Sequence, residues 1–466
     1  LADTAADAKG VAGSPPRLGR LPLPAAFLLA QALAFSLGAA YLAVQGDLAP
    51  GLPPLIAAVP WAAFLVSLCL GRLAPSVRLE LLPAAVGLNV IGLFVLSVVA
   101  PAFAQLQCLW SIISLSAYGL VSRCAGDARR LRQLSGPLFL ISLGLVLLTF
   151  AYGVNPSGGA RRQWIALGPA YFEPSELLKL ALALLLSLQL SGTYAAVGKR
   201  RPWAYAAVAV SLLVLTLQGD LGAALMVALI GALVIFAASG RWQRLLLGLA
   251  AVAAGGAVAY AALPYVRVRF DTWLDPWSDP AGASYQIVQG ARALAAGGLT
   301  GRGLLAAETV HVPASHTDSI IAALGERLGL VGSVTVVGLY GVMLAQLRRV
   351  YLRAGSALEA LLATAVATLL VGQAIVILGG STGLVPLTGV TLPLVSYGGS
   401  SLLMSYLALA LIGGRRNETV DASSPVHTRG QSIVHLALAL ALALVTVWLS
   451  AWHLAGTTII EHLAGS

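Results

Sequence analysis

The chain has 466 residues, of which 58% are hydrophobic and only 10% charged. Soluble domains carry about 25% charged residues, so this composition excludes a soluble enzyme and leaves a polytopic membrane protein. The net charge of +10 would suit a nucleic-acid partner, but its placement along the chain argues for no nucleic acid and for membrane topology.

Positions 1–20 are polar and rich in Ala, Gly and Pro, with no cleavage-site pattern before a short apolar region. They are expected to form a disordered cytoplasmic lead rather than a signal peptide. Apolar runs of the about 17–25 residues that cross a bilayer follow at 21–44, 53–71, 81–103, 106–122, 134–153, 175–192, 203–218, 221–239, 245–263, 319–346, 357–380, 394–413 and 431–454. The expected fold is an all-α polytopic membrane protein of about 13 spans. The first two spans make an additional N-terminal transmembrane hairpin (21–80). A cytoplasmic linker (414–430) separates the next ten spans from an additional C-terminal helix with an outside tail (431–466).

With the N-terminus inside, 20 of the 28 basic residues fall in loops assigned to the cytoplasm, as the positive-inside rule requires. Six lie outside (Arg161, Arg162, Arg267, Arg269, Arg292, Arg302) and Lys179 and Arg327 lie within spans. Cys69, Cys108 and Cys124 have no metal-ligand spacing and read as packing residues.

Three loops assigned to the outside are long or unusual: 154–174, 264–318, and the Gly/Pro-rich 379–393 that leads into Ser396-Tyr397-Gly398-Gly399-Ser400-Ser401. Irregular backbone at membrane depth persists only where it is buried in protein or lines a wet cavity. Within these loops Arg161 and Arg162 defy the positive-inside trend; a guanidinium pair there can grip a phosphate, or anchor to lipid head groups. Glu176 and Lys179 open the sixth span at i, i+3 and share a helix face. They read either as a mutually neutralising pair or as the lining of a polar cavity, since charge inside a membrane is costly. Asp220 reads as a cap on the following helix. Glu326 and Arg327, embedded in the tenth span, read as structural. Asp318, where the longest polar stretch returns to an apolar run, is either an N-cap or a general base at the membrane surface. Gly297-Gly298 and Gly301-Arg302-Gly303 lack the Lys-Ser/Thr of a nucleotide loop.

These segments together resemble the SEDS family (shape, elongation, division and sporulation), the FtsW/RodA/SpoVE-type peptidoglycan glycosyltransferases. The resemblance rests on Gly159-Ala160-Arg161-Arg162 with Trp164, Glu173-Pro174-Ser175-Glu176 with Lys179, Gln218-Gly219-Asp220-Leu221-Gly222 and Tyr285-Gln286. It continues through His316-Thr317-Asp318, Gly325-Glu326, Pro386-Leu387-Thr388-Gly389 and the Ser396–Ser401 run, with Gln107 and Trp110 earlier. It covers 81–413 and implies a ten-helix glycosyltransferase core there. Departures are Glu173 for a Gln, Gly219 for a Pro, Arg327 for a second Glu and Ser319 for a Phe. The extra N-terminal pair is similar to that of some actinobacterial relatives.

The resemblance implies polymerisation of lipid II, the undecaprenyl-pyrophosphate-linked disaccharide-peptide, on the outer face of the bacterial cytoplasmic membrane. It places the essential carboxylate at Asp318. Arg161, Arg162, Glu176, Lys179, Gln286 and Arg302 are the expected substrate-binding residues. A class B penicillin-binding transpeptidase is the expected partner. No cofactor is required by the sequence, and a divalent cation bridging the pyrophosphate is compatible with it. The competing reading is a lipid II flippase without catalysis, which would need a cavity open to both leaflets.

Overall fold

The computed structural model describes residues 22–44, 51–74, 77–156, 158, 162–168, 170–192, 201–306 and 308–414. Its helices are α1 (Leu23–Val44), α2 (Leu52–Leu73), α3 (Leu82–Val99), α4 (Pro101–Cys124), α5 (Ala128–Tyr152), α6 (Pro174–Ser191), α7 (Arg201–Gln218), α8 (Leu221–Ser239), α9 (Trp242–Ala262), α10 (Pro264–Leu274), α11 (Tyr285–Gly297), α12 (Ile320–Leu352), α13 (Ala357–Ala367), α14 (Gln373–Ser381) and α15 (Gly399–Gly413). A π-helical turn, Thr368–Gly372, joins α13 to α14, and a two-stranded hairpin, β1 (Ile165–Leu167) with β2 (Ala170–Phe172), precedes α6. Proline stands in the first turn of α2, α3, α4, α6 and α10, where its missing N–H costs nothing and its fixed φ suits a helix start. Asp127 caps α5, accepting from the Arg129 and Arg130 amides at 3.0 and 3.3 Å.

Counting α13, the π-helical turn and α14 as one segment (Ala357–Ser381), ten helices among the described residues are long and apolar enough to cross a membrane, with α7 and α15 shorter apolar helices beside them. The span expected at 431–454, the lead at 1–20 and nearly all of the 414–430 linker lie outside the described residues. Burial separates centre from rim. In α6, 83% of the membrane-length window is buried against protein, whereas in α9 it is 11%. α6 therefore forms the axis, flanked by α5, α7, α8, α13 and α15, and α9 presents its leucines and alanines outward, as a lipid-facing helix should.

The α1–α2 hairpin lies on α3 and α4. Gln31 donates to the Pro83 carbonyl at 3.0 Å, and Phe35 meets Phe94 with ring centroids 5.8 Å apart.

Connections sort to two ends. At one end Arg78 donates to the Gly413 carbonyl at 2.8 Å and forms an ion pair with Glu359. At the other end the described residues of 153–173, 220–222, 264–319 and 382–401 converge. Two features there differ from the sequence reading. The stretch 264–318, expected as a polar loop, contains α10 and α11, because short amphipathic patterns such as Val288, Ala293 and Leu294 find an apolar surface to bury on. The tenth span is also not one helix. Gly329 takes φ 68°, ψ −164° inside α12, a backbone state open to glycine, so residues 320–328 form a short helix paired with α11 before the long segment begins.

Candidate active site

The polar face of α6 looks into the bundle. Glu176 and Lys179, one turn apart, form an ion pair at 2.9 Å, and only 4% and 1% of their surfaces are exposed. The Lys179 ammonium also donates to Gln373 Oε1 at 3.0 Å. Gln373 follows the π-helical turn, a kind of irregularity common where helices carry functional groups. Its amide donates onward to the Thr391 carbonyl at 2.9 Å. Buried charge is tolerable only when paired and hydrogen-bonded, and this chain of contacts meets that condition. It also means that Lys179 is enclosed, with Glu176 and Gln373 rather than solvent beside its ammonium.

Glu173 and Asp220 join the same group. Ser175 Oγ donates to Glu173 Oε1 at 2.8 Å. Burial first, then the charges of Glu176 and Asp220, push the Glu173 carboxyl up to about 8. Asp220 is likewise raised, by burial. The expected cap is present: Asp220 Oδ1 accepts from the Ala223 amide at 2.9 Å. Gly219 before it takes φ +79°, which proline cannot adopt, so the turn is built differently from the family's Pro-Asp.

Asp318 does not cap α12. The residue at that cap is Ser319, which makes no capping side-chain bond. Instead Asp318 is half-buried beside Gly389, where an added Cβ would lie 3.6 Å from Asp318 Oδ2 and 3.3 Å from Arg269 Nη2. Arg269 also donates to the Thr388 carbonyl at 3.2 Å. Burial raises the Asp318 carboxyl to about 6, while Arg269 and the Thr317 hydroxyl pull it down. One segment thus lies beside Asp318 at Gly389 and is bonded to the Lys179 network at Thr391. Two packed glycines fix that segment. A Cβ on Gly222 would strike the Val390 side chain and the Thr388 carbonyl, and one on Gly92 would strike the Val395 carbonyl.

The loop carrying Asp318 is pinned from the other side. Ser396 Oγ donates to the Thr317 carbonyl at 2.7 Å, and the Tyr397 amide donates to the His316 carbonyl at 2.8 Å. Gln107 clamps the same strand of chain, donating to the Ser396 carbonyl at 3.1 Å and accepting from the Gly398 amide at 3.2 Å. His316 stacks on Phe103 with centroids 4.6 Å apart and planes 5° from parallel. Trp110 packs where a Cβ on Gly399 would be, so Gln107 and Trp110 both hold the Ser396–Ser401 run in place.

The remaining candidates divide. Gln286 donates to Ser319 Oγ at 3.0 Å, next to Asp318. Arg162 is exposed on the loop before β1, and Arg161 lies outside the described residues. Arg302 pairs with Glu326 at 3.6 Å. Glu326 Oε1 accepts from the Val310 amide at 2.7 Å and Arg327 donates to the Leu304 carbonyl, so both residues of the tenth span tie down the 299–310 loop, the structural role expected of them. Arg269, Gln373 and Phe103 were missed. The signal for Arg269 was its place outside against the positive-inside trend, and for Gln373 an amide in the middle of an apolar span. Among the described residues no group of three or more His, Cys, Asp or Glu is placed to hold a metal ion.

Residues 90–419 match the profile of the FtsW/RodA/SpoVE family, described as cell cycle proteins. Peptidoglycan glycosyltransferase RodA of Mycobacterium tuberculosis (strain ATCC 25618 / H37Rv) is 34% identical over 441 residues, covering 85% of this chain and 92% of the relative. The probable peptidoglycan glycosyltransferase FtsW of Nitrosococcus halophilus (strain Nc4) is 34% identical over 360 residues, 73% of this chain and 92% of its own. Among solved structures, a chain reported under "Structural coordination of polymerization and crosslinking by a peptidoglycan synthase complex" superposes with a TM-score of 0.58 at 32% identity, covering 72% of this chain and 96% of that one. The crystal structure of Thermus thermophilus RodA gives a TM-score of 0.52 at 30% identity, with the same two coverages, 72% and 96%.

Proposed function

The chain belongs to the FtsW/RodA/SpoVE (SEDS) family and is a multi-pass membrane peptidoglycan glycosyltransferase of cell-wall synthesis, and on that premise we propose that it polymerises lipid II with Asp318 as general base. The observation that carries this reading is the state of Asp318. Its carboxylate is half-buried, caps no helix, and stands beside an exposed glycine at the end of the bundle where the polar groups converge.

In the proposed reaction Asp318 takes the proton of the acceptor sugar's C4 hydroxyl as that oxygen attacks the donor's anomeric carbon. The new glycosidic bond forms as the bond to the pyrophosphate oxygen breaks, the configuration inverts, and undecaprenyl pyrophosphate departs with the electron pair. General-base help of this kind contributes about 10²–10⁴-fold. Developing charge on the leaving group needs cations. Arg161 and Arg162 are assigned that task, with Arg302 a weaker contributor because Glu326 already shares its charge. Lys179 and Glu176 act one layer deeper: through Gln373 they hold the 388–391 segment that Asp318 adjoins. Gln286 steadies the same place through Ser319.

The charge distribution supports a cytoplasmic N-terminus, which puts the Asp318 end outside the bacterial cytoplasmic membrane. The similarity to a chain from a peptidoglycan synthase complex supports a class B penicillin-binding transpeptidase as partner. The test is polymerisation of labelled lipid II by purified protein. Asp318→Asn should reduce glycan formation at least about 100-fold with unchanged thermal stability. Equal product from the variant removes Asp318 from the chemistry.

A further inference from the structure

The outside stretch between α9 and α12 contains a residue that none of the motifs explains. Arg269 sits on α10 and reaches the 383–389 segment together with Trp273, whose indole donates to the Gly383 carbonyl at 2.7 Å while Arg269 donates to the Thr388 carbonyl at 3.2 Å. Residues at i and i+4 share one helix face, so α10 docks on that segment by a single face with two polar anchors. The Arg269 guanidinium and the Asp318 carboxylate both come up to Gly389, where an added Cβ would lie 3.3 Å from Nη2 and 3.6 Å from Oδ2.

We propose that Arg269 is a positioning residue for the glycosyl transfer, one nitrogen fixed by the Thr388 carbonyl while the guanidinium aims the Asp318 carboxylate beside Gly389. The inference rests on Asp318 being the base. A guanidinium suits the task because its rigid fork serves two acceptors at once, which an ammonium on a flexible stem does less well. It also keeps Asp318 charged. Burial favours the protonated form, and Arg269 is the charge that opposes it, with the Thr317 hydroxyl assisting. The other titratable groups of this end have contacts of their own: His316 stacks on Phe103, Tyr397 lies against Phe103, and Glu173, Glu176, Lys179 and Asp220 form the group around α6. Docking of α10 therefore controls both the direction and the ionisation of the base.

The experiment is an infrared difference titration of the full chain in detergent, with Asp318→Asn as the subtraction that identifies the Asp318 carboxyl band. Removing a cation close to a carboxylate raises its midpoint by about 1–3 pH units, so Arg269→Gln should move the Asp318 midpoint upward by at least about one unit. Arg269→Lys should fall between Gln and the parent. Polymerisation by Arg269→Gln should drop about tenfold for each unit by which the pH lies below the new midpoint. Arg267→Gln is the control, since that side chain donates to the Ala261 carbonyl and lies over Tyr260; its midpoint should match the parent. An unmoved midpoint in Arg269→Gln, or an equal shift in Arg267→Gln, overturns the proposal. Normal polymerisation by Asp318→Asn overturns the base itself while the titration still reports whether Arg269 governs that carboxylate.

Discussion

Lys179 and Gln373 stand 194 positions apart in the chain and meet at 3.0 Å in the centre of the bundle. The contact joins α6, which begins at the polar end, to the helix that leads back to it through Thr391. With Glu176 at 2.9 Å on the other side of the ammonium, the three residues form a buried polar bridge whose far end is the segment beside Asp318.

That bridge predicts a large cost for breaking it from one side. Lys179→Met leaves Glu176 buried without its cation, a change that destabilises by about 3–5 kcal/mol. Adding Glu176→Gln removes the orphaned charge and should restore part of the loss. Thermal unfolding of the three proteins in one detergent measures this. A Lys179→Met protein as stable as the parent contradicts the bridge.

A second prediction concerns Glu173, where the family resemblance has a glutamine. Its carboxyl is pushed up to about 8 by burial and by Glu176 and Asp220, so it is protonated at neutral pH and has the shape and charge of the amide. Above pH 8 it ionises and adds a second negative charge near the Glu176–Lys179 pair. Activity of the parent should therefore fall as pH rises through about 8, and Glu173→Gln should match it at pH 7 but keep its rate at pH 9. Superimposable profiles for the two proteins argue against a protonated Glu173.

Gly389 and Gly383 make a matched pair, since both have left-handed φ, +71° and +76°. Alanine at Gly383 meets nothing within 4 Å, whereas at Gly389 it comes within 3.3 Å of Arg269 and 3.6 Å of Asp318. Both substitutions should destabilise by about 1 kcal/mol through backbone strain. Only Gly389→Ala should also cost activity, by at least about tenfold for a misplaced base. Parallel melting curves and polymerisation rates decide it, and equal rates for the two would detach Gly389 from the site.

The loop at 299–310 offers a fourth. Arg302 is 41% exposed and 3.6 Å from Glu326, so Arg302→Gln should change stability by less than about 1 kcal/mol. Glu326→Ala, by contrast, strips the Val310 amide of its acceptor and should cost about 1–3 kcal/mol. If Arg302→Gln leaves stability alone but raises the KM for lipid II, its assignment to the substrate stands. Unchanged KM withdraws it.

Much of the architecture is legible in the sequence. Runs such as 221–239 and 357–380 must bury or face lipid over the thickness of a bilayer, so their length and composition announce them. Asp220 and the Pro174 helix start were readable for the same local reason, since caps and first turns depend on neighbours within four residues. The break at Gly329 and the helices α10 and α11 were not. A glycine inside an apolar run says nothing until the Leu299–Gly301 backbone is seen packed against it, and an 11-residue helix in a polar stretch needs a surface to dock on before it is worth forming.

The amino-acid sequence alone determined that this protein lives in a membrane, and it singled out Asp318, Glu176 and Lys179 as charges that need a reason to be where they are, because hydrophobic length and misplaced charge are local properties with unavoidable energetic consequences. Only the tertiary structure decided that Lys179 is enclosed rather than open, that Gln373 is its partner, and that Arg269 and Asp318 both come up to Gly389. Those relations depend on which helices pack side by side, and a hydrogen bond spanning 194 residues leaves no trace in the spacing of the residues that make it.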